Sequence, residues 1–474
     1  MNQLNPANGR DDQASGRAPE TVPPAGPSQH QNESRRRPAI LIAAACVAVL
    51  VAVLIGWLTL RPAGSRPAGS RPAGQADASP PSQADIAAVL QLLQQHAAHL
   101  LQHDQAGWAA DLDDAAAADG YRQHQQAVFG NLAGVPLTAW RYVLSAPVTD
   151  QAVLQPAATR LGGRVAVLHV ELQYALAKVD PAPTAKDLWL TAVHRAGGWL
   201  LASDSDAASD GGPSWQGPWD FGKLIARAGP HSLVLAHPAH QADVSRFQAL
   251  VEHSIPVVSS VWGSNWNQQV AVLIPDSAAE FAAVTGDSAD SHDLAAVSVA
   301  DSVNSDGTVL GARIVLNPDN LSRLDPAGRR LVIQHELTHI AARAQTADQM
   351  PTWLIEGFAD YVGNLDSGQP VQVAASELAA EVRRGRLPTA LPTDAAFAAA
   401  GNRLAQLYEQ SWLACRLIAS TAGQAGLVRF YKAVASAARI DPATAASNGF
   451  SQVLRTSVAA FTASWRAALV RELR

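Results

Sequence analysis

The stretch Leu331-Val-Ile-Gln-His335-Glu336-Leu-Thr-His339-Ile340 decides how this sequence is interpreted. It contains the pattern H-E-x-x-H within an apolar run that is typical of a buried helix. Residues four apart lie one turn apart on the same face of a helix, so His335 and His339 can reach one metal ion together. Glu336 is rotated away by one residue and can act on a water molecule at the metal without being a ligand. The stretch therefore predicts a helix that carries two metal ligands and a base.

A second stretch, Trp353-Leu-Ile-Glu356-Gly-Phe-Ala-Asp360-Tyr361, follows after a short connection. Glu356 and Asp360 are also four residues apart and share a helix face. A helix that crosses the first one would present Glu356 as a third ligand, and Asp360 would accept the free ring N–H of a metal-bound histidine. Two histidines and one glutamate leave the fourth position of a zinc ion open, as in catalytic zinc sites. We predict one Zn²⁺ ion, bound by His335, His339 and Glu356.

Together the two stretches resemble the active-site motifs of the gluzincin zinc metallopeptidases. The sequence P-x-W-L-x-E-G-F-A-D-Y, from Pro351 to Tyr361, is similar to that of the peptidase MA-like, membrane-associated bacterial group. The resemblance covers roughly residues 230–474, with its specific motifs between 331 and 361. It implies hydrolysis of peptide bonds in a peptide or protein substrate by a zinc-activated water, with Glu336 as the general base.

The resemblance also implies a tyrosine on a downstream helix that stabilises the oxyanion of the reaction. Tyr408, in the helical run from Leu404 to Ile418, is the first candidate. Tyr361 is the second, although its place beside Asp360 suits packing. For both tyrosines, ordinary packing stays an equal alternative. The segment 312–317 resembles the edge strand beside the gluzincin cleft, to which a peptide could add as a further strand.

The composition excludes several other classes of protein. The 474 residues include 35 Lys and Arg against 41 Asp and Glu, and the net charge of −6 argues against a nucleic-acid partner. Only Cys46 and Cys415 are present, so neither a disulfide scaffold nor a cysteine zinc cluster is possible. The sequence contains no G-x-S-x-G motif and no P-loop, and Cys415 lies in an apolar helical run that suits an inert thiol.

The N-terminal part predicts a membrane anchor. Residues 1–37 are polar and predict a disordered cytoplasmic tail. Residues 38–60 predict a single transmembrane helix, whose apolar run 39–60 carries no charge and is long enough to span a bilayer. Residues 61–83 contain RPAGS repeats and predict an extended linker. The contiguous arginines 35–37 favour a cytoplasmic N-terminus and an extracytoplasmic catalytic domain at the cell membrane, although Arg61, Arg66 and Arg71 weaken this bias.

Two α+β regions are predicted after the linker. Residues 84–202 begin with helices, at Asp85–Asp104 and about Trp108–Phe129, and continue with strands, an order that resembles the NTF2-like (cystatin-like) fold. Residues 203–217 predict a second linker, and residues 218–474 a zincin-like domain that is mostly helical after Asp325. Strands are predicted at 140–144, 164–177, 188–194, 199–202, 232–236, 269–275, 295–299 and 312–317.

Two alternatives stay open at this point. The histidines at 96, 99 and 103 share one face of the first helix, and we expect a solvated face there rather than a metal site. The whole protein could also be a catalytically weak zinc-binding surface protein whose NTF2-like domain binds a ligand or partner. The presence of Glu336 favours the peptidase, while the substrate, the cleavage specificity and the oligomeric state are not specified by the sequence.

Overall fold

The computed structural model describes residues 78–286, 294–321 and 323–474. The predicted tail, the predicted transmembrane helix and most of the repeat linker therefore lie outside the described residues. Within the described ranges, no helix combines the length and the apolar character needed to cross a bilayer.

The N-terminal part contains a four-stranded antiparallel sheet with the strand order β1-β2-β3-β4. Its elements are α1 (Gln83–Leu101), α2 (Gln105–Ala110), α3 (Asp119–Leu132), β1 (Leu137–Pro147), α4 (Gln151–Leu161), β2 (Val165–Leu176), β3 (Thr184–Arg195) and β4 (Gly198–Ser203). A capping box at Ser82 and Asp85 begins α1, so the fold starts just inside the predicted linker. The four predicted strands are confirmed, whereas α4 is missing from the prediction.

The alternation of side chains along β2 explains why both faces of this sheet are covered. Its even-numbered residues, such as Leu168 and Leu172, are buried in the core that includes α1. Val165 and Val167 point to the opposite face and pack with α4 residues such as Leu154. The predicted second helix is broken, because Asp111 and Asp113 leave it to exchange backbone hydrogen bonds with Leu201 of β4.

The C-terminal part begins with a mixed five-stranded sheet whose strand order is β5-β6-β7-β11-β8. Its elements are β5 (Ile225–Ala228), β6 (Ser232–Ala236), α5 (Gln241–Trp262), β7 (Val270–Ile274), α6 (Ala278–Thr285), β8 (Ala296–Val299), β9 (Ser302–Val303), β10 (Val309–Leu310), β11 (Arg313–Leu316) and α7 (Pro318–Leu321). Strands β6, β7 and β11 run parallel, while β5 and β8 are antiparallel to their neighbours.

The expectation that segment 312–317 forms the edge strand is wrong. Strand β11 pairs with β7 on one side and with β8 on the other, so it lies inside the sheet. The strand at this edge is β8. Strand order depends on long-range pairing, which local sequence patterns do not encode.

The chain is helical from residue 326 onward, as predicted. The helices are α8 (Pro326–Ala342), α9 (Thr352–Gly363), α10 (Val371–Ala374), α11 (Ser376–Arg383), α12 (Asp394–Ala398), α13 (Leu404–Ala422), α14 (Gln424–Ala438), α15 (Pro442–Gln452) and α16 (Val458–Leu473). Helix α8 packs against α5, α9 and the edge strand β8, and α13 packs along α9.

The two parts share a hydrophobic core and a set of polar contacts. The core continues from Trp140 and Tyr174 through Trp219 to the C-terminal sheet. Asp180, after β2, accepts two hydrogen bonds from the buried guanidinium of Arg313 on β11, at 2.6 and 2.7 Å. The N-terminal sheet is therefore joined to an interior strand of the C-terminal sheet by both apolar and ionic contacts.

Candidate metal centre

The first site helix, α8, begins with a well-defined cap. The Asp325 side chain accepts a hydrogen bond from the backbone N–H of Gly328 at 2.7 Å, and Pro326 occupies the first turn. Most of the helix is buried, including His335 and Glu336, which are 3% and 1% exposed. Buried ionisable side chains are rare in proteins without a partner or a function, so this pair indicates a site rather than a solvated surface.

The N-terminus of the second site helix, α9, is capped by a residue far along the chain. The backbone N–H of Thr352 donates to the Asp394 carboxylate, at the start of α12, at 2.8 Å. Glu356 and Asp360 lie one turn apart on α9 and are 6% and 2% exposed. The two helices thus bring His335 of α8 into contact with Glu356 and Asp360 of α9.

The three predicted ligands converge. The Nε2 atoms of His335 and His339 are 2.9 Å apart, and Oε2 of Glu356 lies 3.3 and 3.4 Å from them. Among the described residues, this is the one group of histidine, cysteine or carboxylate side chains whose donor atoms are close enough to share an ion.

This donor set fits a zinc ion. Zinc–nitrogen bonds of about 2.0–2.1 Å in a tetrahedral site place neighbouring donor atoms about 3.3 Å apart, close to the distances from Glu356. The Glu356 Oε2 atom is buried and accepts no hydrogen bond from any residue that the structure describes. An uncompensated buried carboxylate oxygen beside two imidazole nitrogens is the arrangement that a bound cation would satisfy.

Asp360, the residue predicted to hold a histidine ligand, lies beside the first histidine. Its Oδ1 lies 2.8 Å from Nδ1 of His335, and both groups are buried. When the Nδ1–H of His335 is donated to this carboxylate, the other ring nitrogen, Nε2, presents its lone pair toward His339 and Glu356. This tautomer is the one that a metal ligand requires.

Burial and charge act differently on the two carboxyl groups. Burial favours the protonated form of Glu356, but the adjacent imidazoles of His339 and His335 outweigh it and hold the pKa of Glu356 below its usual value. At Asp360, burial outweighs the hydrogen bond from His335, and its pKa lies above its usual value. Glu356 is thus the carboxyl group that ionises more readily, which suits a ligand of a cation.

The predicted catalytic residues lie beside this group. Glu336 follows His335 on α8 and is buried. Tyr408, on α13, is 1% exposed, and its ring centre lies 6.4 Å from that of His335. Tyr361 is partly buried, and its hydroxyl accepts a weak hydrogen bond from Gln424 at 3.5 Å. Tyr408 thus lies within ring-contact distance of a predicted ligand, while the roles of Glu336 and Tyr408 stay predictions.

The other candidate histidines do not form a solvated face, and that expectation is wrong. His96 is 1% exposed and stacks on Trp108 at a ring distance of 3.4 Å. His96 and His99 share the carboxylate of Asp111 through their Nδ1 atoms, at 3.1 and 2.9 Å. His103 lies beyond the end of α1 with a positive φ of 57°. A buried residue after the helix, Asp111, supplies the partner that the helix pattern could not reveal.

Comparison with solved structures finds zinc metallopeptidases. A mutant of a two-domain M1 zinc metallopeptidase, bound to L-arginine, aligns with a TM-score of 0.32 and 14% identity over 59% of this chain and 58% of that chain. The chain has distant structural similarity to M1 zinc metallopeptidases. The M1 enzyme of Deinococcus radiodurans aligns with a TM-score of 0.32 and 14% identity, over 58% of each chain. A mutant of that enzyme, bound to a Tyr-Ser-Ala substrate, aligns with a TM-score of 0.33 and 15% identity, again over 58% of each chain.

The alignments thus span less than two thirds of the M1 proteins. No protein-family model and no curated protein matches the sequence.

Proposed function

We propose that this protein is a zinc-dependent metallopeptidase of the gluzincin type, which hydrolyses peptide bonds. The observation that supports this most directly is the convergence of His335 Nε2, His339 Nε2 and Glu356 Oε2 within 4.8 Å of one another. The hydrogen bond between His335 and Asp360 adds to it, because it selects the ligating tautomer. Two histidines and one carboxylate are the ligand set of catalytic zinc sites that keep a position open.

The proposed mechanism assigns one task to each residue. A zinc ion held by His335, His339 and Glu356 would supply a Lewis acid that makes water acidic enough to lose a proton near neutral pH. Glu336 is the general base that accepts this proton, and it later donates a proton to the leaving amine. Tyr408 donates a hydrogen bond from its hydroxyl to the oxyanion that forms at the substrate carbonyl.

The same proposal places the enzyme at the cell membrane. The uncharged segment 39–60 would anchor it as a single-pass protein, with the catalytic domain extracytoplasmic, in line with the resemblance to the peptidase MA-like group. Residues 84–202 would form an NTF2-like domain and residues 218–474 a zincin-like domain. External protease that digests the catalytic domain on intact cells supports this orientation, and complete protection of the domain contradicts it.

A paired measurement of metal and activity tests the function. Purified full-length protein is analysed for zinc and incubated with a casein digest or peptide library, alongside Glu336→Gln and His339→Ala variants. We expect about one zinc per chain and cleavage by the wild type, full zinc without cleavage in Glu336→Gln, and loss of both in His339→Ala. Equal cleavage by wild type and Glu336→Gln contradicts the mechanism. Zinc binding without any cleavage by the wild type favours the non-proteolytic zinc protein instead.

A further inference from the structure

Three helices meet at a single carboxylate just beyond the second site helix. Asp366 follows α9, and its Oδ2 lies 2.7 Å from Nε2 of His253 on α5. Its Oδ1 accepts a hydrogen bond from Gln334 of α8 at 3.1 Å, and its backbone carbonyl accepts one from Arg330, also on α8, at 3.1 Å. Since Arg330 and Gln334 are four residues apart, one face of α8 holds the end of α9 at two successive turns.

Gln334 has an unusual environment for its amide. It is fully buried, and its Nε2 donates both to Asp366 and to the carbonyl of Val362, in the last turn of α9, at 2.7 Å. Its Oε1 is buried and makes no hydrogen bond with the described part of the chain. A buried, unpaired carbonyl costs stability, which a leucine of similar volume would avoid. The two donated hydrogen bonds are therefore the feature that distinguishes glutamine from an apolar residue at this position.

These contacts lie next to the metal centre on both helices. Gln334 directly precedes His335, and Val362 is two residues beyond Asp360, which orients that histidine. On the other side, a Cβ atom added to Gly363 would lie 3.2 Å from the carbonyl oxygen of Leu331, so the backbones of α8 and α9 approach closely here. The separation of the helices at this point determines the distance between the histidine ligands and Glu356.

Resting on the proposed function, we infer that Gln334 and Asp366 are positioning residues, which set the spacing of the helices that carry the metal ligands. Ligand atoms of a zinc site must be held within a few tenths of an ångström of their bonding positions. Loss of the Gln334 hydrogen bonds lets α9 shift relative to α8, and the shift changes both the affinity for the metal and its coordination geometry. Partners outside the ligand set commonly contribute about 10–100-fold to metal affinity.

Cobalt(II) is the probe for the test, because its visible absorption reports coordination geometry. Full-length wild type, Gln334→Leu, Asp366→Ala and Asp366→Asn are freed of metal, titrated with Co²⁺ and then competed with a chelator. We expect about tenfold weaker binding and an altered spectrum in Gln334→Leu and Asp366→Ala. Asp366→Asn keeps an oxygen that accepts the Gln334 N–H, so its affinity and spectrum should stay close to those of the wild type.

The control variant is Thr346→Val. Thr346 lies beyond the end of α8, and its hydroxyl forms a 2.7 Å hydrogen bond with the hydroxyl of Tyr431, which valine cannot form. This variant should lower the stability of the protein without changing the cobalt spectrum. Wild-type affinity and spectrum in both Gln334→Leu and Asp366→Ala overturn the inference while leaving the proposed function intact. Failure of the wild type itself to bind cobalt overturns the proposed function, and the inference with it. If Gln334→Leu does not fold, the comparison of Asp366→Ala with Asp366→Asn decides.

Discussion

Gly357 of α9 lies directly against the backbone of Ser411 on α13, and a Cβ atom at residue 357 would come within 2.4 Å of the Ser411 carbonyl oxygen. This close approach lets α13 bring Tyr408 beside His335. We predict that Gly357→Ala pushes α13 outward, lowers the free energy of unfolding by about 1–3 kcal/mol and reduces peptidase activity. Denaturant unfolding and peptide cleavage measure the two effects.

The matched control is Gly130→Ala in α3, where a Cβ would meet nothing within 4 Å. That variant should be unchanged or more stable by about 0.5–1 kcal/mol, since alanine favours helix. Equal stability of Gly357→Ala and the wild type would show that the helices can separate at no cost.

Asp360 should matter for metal affinity more than for folding. Asp360→Ala leaves the Nδ1 of His335 without its carboxylate, so the ring loses its fixed tautomer and orientation. We expect zinc affinity to fall about 10–100-fold, measured by competition with a chelator. Asp394→Ala, which removes the cap of α9 at its other end, should leave the affinity much closer to that of the wild type. A larger loss in Asp394→Ala would contradict this assignment.

A buried histidine–glutamate pair, His237 and Glu280, should make the stability of the protein depend on pH. His237 Nδ1 lies 3.1 Å from the carbonyl oxygen of Lys223, and Nε2 lies 2.9 and 3.0 Å from the two carboxylate oxygens of Glu280. Burial lowers the pKa of His237, but the contacts with Glu280 outweigh burial, and the pKa is raised overall. Because the folded pKa exceeds the unfolded value near 6.5, the stabilisation is complete below that pH and is lost as pH rises through the folded pKa.

Unfolding in urea between pH 5.5 and 8.5 checks this for wild type and Glu280→Gln. The stability advantage of the wild type over the variant should shrink as pH rises. A constant difference across the range would mean that the proton on His237 does not respond to Glu280.

Glu409 provides a second pH dependence, on α13 next to Tyr408. Burial raises its pKa to about 8, although the backbone N–H groups of Leu378 and Glu377 donate to its carboxylate. Since the folded pKa lies above the unfolded one, stability contributed by the protonated group is present below about pH 4.5 and is lost as pH rises toward 8. Glu409→Gln, which mimics the protonated form, should equal the wild type near pH 4.5 and exceed it in stability at pH 8.5.

The control for this experiment is Glu381→Gln. Hydrogen bonds from Arg386 and Arg384 lower the pKa of Glu381 to about 2, so Glu381 stays ionised, and the difference in stability between this variant and the wild type should be constant from about pH 5.5 to 8.5. If the stability of Glu409→Gln and that of the wild type change with pH in parallel, Glu409 does not titrate in this range and the prediction is wrong.

The spacing of residues along single helices is enough to predict the ligand group. Contacts between segments that are distant in the sequence cannot be predicted in this way. His335 and His339, like Glu356 and Asp360, follow from the four-residue repeat of a helix. The prediction that segment 312–317 forms the edge strand is wrong, because the sequence of one strand does not show that another strand, β8, pairs alongside it. The burial of His96 depends on Trp108 and on Asp111, which the chain supplies only after α1 has ended. No sequence pattern marks Gln334 as a positioning residue, since a single glutamine within a helix belongs to no known motif.

The contact between Arg313 and Asp180 makes the two parts of the molecule depend on each other for stability. Removal of either side chain leaves a buried charge unpaired, at a cost far above that of exchanging both for apolar residues. We therefore expect a joint exchange of residues 180 and 313 for apolar side chains to be tolerated better than either single substitution. A fragment that lacks residues 78–202 would leave the buried guanidinium of Arg313 without the Asp180 carboxylate, on an interior strand of its sheet, and we expect that fragment not to fold stably on its own.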